Sequence, residues 1–226
     1  MGHQGSSHYG EGIPVTHLNV FFICGMLSPL FYIAMTIVGG VITPDYSHVY
    51  HAVSELMQRG APHKALMDGF LILSNISNLL FGLGVFLFFY QTNRYNKTGF
   101  AGVISLFLIG LIGILITLFF PMDPRDSQLT TPGLMHLILV SILAILSLAT
   151  PILFGLSLWK ESAFLKFAKY SFISAIVILV TGGLAAAAAL TPSPYMGLAE
   201  RVTIGMNMQW MFIFAWTMYR FNAGNK

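Results

Sequence analysis

Six apolar runs, each long enough to cross a bilayer, constrain this chain more than any other feature. A hydrocarbon core about 30 Å thick is crossed by a helix of about 20 mostly apolar residues. Runs of that kind lie at Leu18–Ile42, Leu66–Tyr90, Gly99–Phe120, Leu134–Trp159, Phe167–Leu190 and Leu198–Phe221. In lipid the backbone must satisfy its own hydrogen bonds, so such runs become helices. The sequence therefore predicts an all-α, polytopic membrane protein. It reads as a six-transmembrane-helix bundle forming one domain over residues 18–221, with polar tails at 1–17 and 222–226. Only 8% of the residues are charged, against about 25% in an ordinary soluble domain, which excludes a fold built for water alone.

The first run follows a glycine-rich polar stretch without a basic flank or a small-residue cleavage site, so it reads as a retained span and not a signal peptide. The opening Met-Gly-His-Gln-Gly-Ser matches a myristoylation pattern, which six spans would make redundant. Cys24 is the only cysteine, so an intramolecular disulfide and a multi-cysteine metal site are both excluded. The basic residues are scattered over short loops with no stripe or aromatic motif for nucleic acid, and no nucleic-acid partner is expected. A homo-oligomer is left open.

Basic residues set the expected orientation. Arg94, Lys97, Lys160, Lys166, Lys169, Arg220 and Lys226 lie on the side of the termini, against Arg59, Lys64, Arg125 and Arg201 on the other. The excess of Lys and Arg places both termini in the cytoplasm of a multi-pass protein of the cell (inner) membrane. The two longest loops, 43–65 and 121–133, then face outward.

At about 100° per residue, Asp45–Gln58 sorts into two faces. Tyr46, Val49, Tyr50, Val53, Leu56 and Met57 share one, while Ser47, His48, His51, Ser54, Glu55 and Gln58 share the other. This predicts a short amphipathic interfacial helix in the first extracytoplasmic loop, a lid over the outer face. On its polar side His48, His51 and Glu55 converge at spacings that suit a metal or a proton as well as they suit a solvated face.

The even-numbered helices begin at that same face, and their outer turns carry the intramembrane polar residues. Asp68 and Asn75 lie on the second, His136 opens the fourth, and Glu200, Arg201 and Asn207 lie on the sixth. Ionisable groups at membrane depth face a bundle interior or a wet cavity. They line a ligand cavity, or they satisfy one another, for instance as an Asp68–Arg201 ion pair. Three helix N-termini together with Arg201 and Arg125 favour an anion such as a lipid phosphate.

Three chemistries follow. In the first, His48, His51, Ser54, Asp123, His136, Glu200 and Arg201 contact the headgroup of a membrane lipid or other amphiphile, with His51 or His136 as acid/base and Glu55 or Asp123 orienting it. In the second, His48, His51 and His136 ligate a metal or haem. In the third, Asp68, Glu200 and Arg201 form the relay of a proton-coupled transporter, against which the lack of an inverted repeat counts. Ser54, a histidine and Asp123 or Asp126 also supply the parts of a hydrolytic triad, without a motif to arrange them. Met206, Met208 and Met211 suit copper(I), and suit a packed core at least as well. Gly182, Gly183 and Ala185–Ala189 read as close helix packing. No cofactor is specified.

Tyr46-Ser47-His48, Val53-Ser54-Glu55-Leu56 with Gly60-Ala61-Pro62, Phe120-Pro-Met-Asp123-Pro, His136 and Glu200-Arg201 occur in this order along the chain. In this the chain resembles the six-span prokaryotic membrane proteins called domain of unknown function 998, with Met57 standing where glycine is expected. The Ser-Glu followed by Gly and Pro, and the His opening the fourth helix, are also similar to the eukaryotic Frag1/DRAM/Sfk1 group. That more distant resemblance implies a lipid-facing role.

Overall fold

The structure, a computed structural model, describes residues 17–94, 96–125, 127–191 and 193–224. The polar N-terminal tail up to residue 16, Asp126 and Lys226 lie outside the described residues. Among the described residues there are six long helices and no strand: α1 (Leu18–Ile42), α2 (Lys64–Gln91), α3 (Lys97–Phe119), α4 (Thr131–Leu158), α5 (Leu165–Leu190) and α6 (Met196–Gly224). Short 3-10 turns occupy Val53–Met57 and Ser162–Phe164.

The apolar runs became helices nearly end to end, because helix is the one conformation that pairs every backbone group within such a segment. Side chains set the ends. Asn96 opens α3 by accepting the Gly99 N–H at 2.8 Å, and Thr130 opens α4 by accepting the Gly133 N–H at 3.3 Å. Five helices, α1 to α4 and the α5 segment, are long and apolar enough to cross a membrane. α6 is longer at 29 residues but carries Glu200, Arg201 and Arg220.

Each helix packs against its neighbours in the chain, and α6 closes the ring against α1. Side chains fill the ring differently at its two ends. The end holding the chain termini is an aromatic core in which the Phe214 ring lies 4.5 Å from Phe154 and 4.9 Å from Phe167, centroid to centroid. Trp210 is 1% exposed in that core and donates its indole N–H to Ser171 Oγ at 2.9 Å. The opposite end is covered by the loop between α1 and α2, which we call the cap.

Candidate functional site

The expected α-helix over Asp45–Gln58 does not form. The segment runs as two turns and a 3-10 helix over Val53–Met57. Local side chains outcompete helical hydrogen bonds here. The Ser47 N–H donates to His51 Nδ1 at 2.9 Å, and Tyr50 N–H donates to Ser47 Oγ at 3.3 Å. Glu55 Oε1 reaches back to the Ala52 N–H at 2.9 Å, which restarts the helix at Val53. The expected faces split accordingly. Val53 and Leu56 are buried against Met35 and Met67, whereas Val49 and Tyr50 are exposed.

Two elements grip this loop from opposite sides. From α6, Glu200 Oε2 accepts the Val53 N–H at 2.7 Å, and Leu198 N–H donates to Val49 O at 3.0 Å. Arg201 Nη1 donates to the carbonyls of His48 and His51 at 2.8 Å each, and Nη2 donates to the Tyr46 hydroxyl. Tyr46 in turn donates to Ala52 O at 2.8 Å. Burial pushes the Tyr46 phenol up to about 12, so it stays protonated and remains a donor at any ordinary pH. Gly197 lets the loop approach, since a Cβ there would lie 2.2 Å from His51 O. Arg201 is therefore spent on neutral oxygens and closes a turn of backbone.

On the other side stands the stretch between α3 and α4. Asp123, 8% exposed, accepts the Thr130 N–H at 2.7 Å, the Thr130 hydroxyl, and the Arg59 guanidinium at 3.1 Å. The Thr130 N–H, its hydroxyl and Arg59 hold the Asp123 carboxyl below its ordinary value against a cost of desolvation. A negative charge at the N-terminus of α4 also suits the helix dipole. Arg59 N–H donates to Met122 O at 2.9 Å, and Ser54 Oγ donates to Met122 Sδ at 3.0 Å. Gly60, at φ +83°, makes the turn that follows.

Between these grips lies a basin of about 590 Å³ lined by Tyr50, His51, Glu55, Gln58, Pro124, Arg125 and Ser127. The Arg125 guanidinium sits 4.5 Å from the Tyr50 ring centroid and donates to Glu55 Oε1 at 2.8 Å. Because His51 Nδ1 accepts a backbone N–H, a neutral ring carries its proton on Nε2 and offers it as a donor. Gln58 Oε1 is buried without a hydrogen-bond partner among the described residues. A cation stacked on an aromatic ring, an imidazole donor and a carboxylate together suit a polar or anionic group.

Of the residues expected at the site, His51 and Glu55 line this basin. His48, Ser54, Asp123, Glu200 and Arg201 build its frame. His136, 7% exposed, pairs through Nδ1 with Phe120 O at 2.8 Å. Tyr50 and Gln58 were not expected as site residues, and Arg125 was expected only as one of the charges favouring an anion. Three expectations need correction. Asp68 pairs with Lys64, not with Arg201, because one helical turn brings the ammonium to it while Arg201 is engaged by the loop. Among the described residues the triad parts Ser54, His136 and Asp123 do not meet: Ser54 bonds Met122, His136 bonds Phe120 O, and Asp123 bonds Thr130 and Arg59. Glu55 does not orient His51, whose Nδ1 is held by the Ser47 N–H.

Among the described residues no group of three His, Cys, Asp or Glu is placed to hold a metal ion. His48, His51 and His136 thus do not gather as a ligand set. Asn75 and Asn207 lie deeper, around an internal cavity of about 30 Å³ shared with Ser28, Asn78, Thr150, Met208 and Met211. The Met residues pack there and against the aromatic core.

A family model described as protein of unknown function (DUF998) matches residues 26–217, a stretch from α1 to α6 that includes the whole cap. No curated protein and no solved structure matches the chain.

Proposed function

Because the chain belongs to the DUF998 family of proteins of unknown function, we propose a role drawn from the site itself: it binds the headgroup of a membrane lipid or similar amphiphile in the cap basin. The observation that carries this reading is Arg125, held over Tyr50 and beside His51 at the end of an apolar bundle. A headgroup phosphate would take Arg125 from Glu55, exchanging one charge-assisted bond for another of better geometry. The Nε2–H of His51 supplies a second donor.

In this reading α6 crosses the membrane with the other five helices. Its 29 residues, about 43 Å at 1.5 Å per residue, and its place between α5 and α1 support this. The Lys and Arg excess puts both termini in the cytoplasm and the cap outside. The reading is of binding, since Ser54, His136 and Asp123 are each engaged apart from one another. The likeness of the Ser54-Glu55 segment to the Frag1/DRAM/Sfk1 group supports a lipid-facing role.

The test is titration of the detergent-purified protein with a water-soluble short-chain phosphatidylglycerol, followed by tyrosine and tryptophan fluorescence. Arg125→Gln is expected to weaken binding about tenfold, the equivalent of about 1.4 kcal/mol. Equal affinity in wild type and Arg125→Gln would refute the reading.

A further inference from the structure

One hydrogen-bond acceptor in the interior of the bundle is left unused by the fold. Asn78, 3% exposed, lies midway along α2 and donates a side-chain N–H to Leu106 O of α3 at 2.9 Å. That bond fixes which way the carboxamide is turned, since its nitrogen has to face the carbonyl. The group left over is therefore an oxygen. Asn78 Oδ1 is buried and has no hydrogen-bond partner among the described residues. In a helix bundle read as lying in lipid, an acceptor without a partner carries the full cost of its lost hydration.

Asn78 borders the internal cavity of about 30 Å³, where five helices meet: Ser28 comes from α1, Asn78 from α2, Leu106 from α3, Thr150 from α4, and Asn207 and Met211 from α6. The Thr150 hydroxyl is held in place by Leu146 O at 2.7 Å and Ser105 Oγ at 2.6 Å. A carboxamide nitrogen carries two hydrogens. Asn207 gives one of them to Ser147 O at 3.1 Å, which leaves a second.

The lining selects among occupants. An oxygen without a partner calls for a donor, the remaining N–H calls for an acceptor, and water is both. The cavity has about the volume that one molecule occupies in liquid water, roughly 30 Å³. Apolar cavities stay dry, whereas this one meets polar groups from several helices. No carboxylate borders it, so a cation there would lack a counter-charge at membrane depth.

We propose that this cavity binds a water molecule, which donates to Asn78 Oδ1 and accepts from Asn207, and so ties α2 to α6 inside the bundle. The assignment stands apart from the headgroup reading of the basin.

Radiolytic footprinting of the detergent-purified protein tests it. Hydroxyl radicals made from water by a brief X-ray pulse oxidise the side chains beside which they form. Met211 borders the cavity and Met218 lies in the aromatic core, and both are buried, so one thioether chemistry compares the two surroundings. Met211 is expected to oxidise several-fold faster than Met218. In Asn78→Leu, which removes the acceptor, it should fall to the Met218 rate. Wild-type Met211 oxidising no faster than Met218 would overturn the proposal, whether or not the variant folds. So would equal oxidation of Met211 in wild type and folded Asn78→Leu. A melting temperature raised by sodium chloride but not by choline chloride would put a cation in the cavity, and would overturn it too.

Discussion

The two ends of the bundle hold themselves together by different means. At the end with the termini, rings from α2, α4, α5 and α6 interlock around Phe214, and closure is a matter of shape. At the cap end the helices are tied by a loop whose backbone is gripped by Glu200 and Arg201, and Leu137, Val140 and Leu179 on α4 and α5 stay exposed. The apolar stretches of α4 and α5 are 17% buried against 50% for α3. A bundle built in this way keeps its tightly packed part at one end and its exposed part at the other.

This contrast is open to attack. The largest loss is expected from Phe214→Ala, which opens a cavity among Phe81, Phe154, Phe167 and Trp210. A loss of roughly 3–5 kcal/mol is expected, measured by thermal or denaturant unfolding in detergent. Arg201→Met comes next. It leaves the His48 and His51 carbonyls without their donor, at a cost of about 2–3 kcal/mol. Faster proteolysis or hydrogen exchange over residues 43–63, with the aromatic end protected as before, is the expected sign. Arg201→Lys restores little, because a single ammonium does not reproduce the planar fork.

Gly197→Ala sharpens the comparison by pushing on the same grip without removing a charge, since a Cβ there would lie 2.8 Å from Arg201 Nη1. The added methyl meets His51 O and must displace the loop, at about 1–3 kcal/mol. A milder effect is expected from Asp123→Asn, read as a pH dependence. The Asp123 carboxyl lies below its usual 3.8, so the folded state favours the charged form. Its contribution is whole above the unfolded value and fades as pH falls through the lower folded one. Unfolding curves of Asp123→Asn should therefore lose part of the acid-side slope of the wild type.

The helices could be read from the sequence because run length in a membrane leaves one solution. The expected Leu18–Ile42 matches α1, and the expected Leu66–Tyr90 lies just inside α2. The gathering of polar residues at one face also emerged, since Glu200, Arg201, Thr130 and the first loop meet there. The conformation of that loop was not legible. Its apolar residues carry a helical period, yet Ser47, His51 and Glu55 capture backbone N–H groups locally, and Arg201 takes carbonyls from about 150 positions away. Sequence spacing holds no trace of such a long-range donor. For the same reason Asp68 and Arg201 looked like partners although each is engaged elsewhere, Asp68 by Lys64 and Arg201 by the loop carbonyls.

Of the three arginines that act at the cap, Arg59 pairs with Asp123, and in the proposed reading the other two divide the work. Arg201 holds the loop, and Arg125, 38% exposed in a pair with Glu55, is available to a ligand. The measurement that tests this division most directly is melting temperature and short-chain phosphatidylglycerol affinity taken together on Arg125→Gln. Glu55, 9% exposed, keeps the Ala52 N–H when Arg125 is lost, and a pair exposed on one side contributes about 1 kcal/mol, so the expected result is a small change in Tm with clearly weakened binding. A large fall in Tm with affinity intact in the folded fraction would contradict it, and would make Arg125 another strut of the cap.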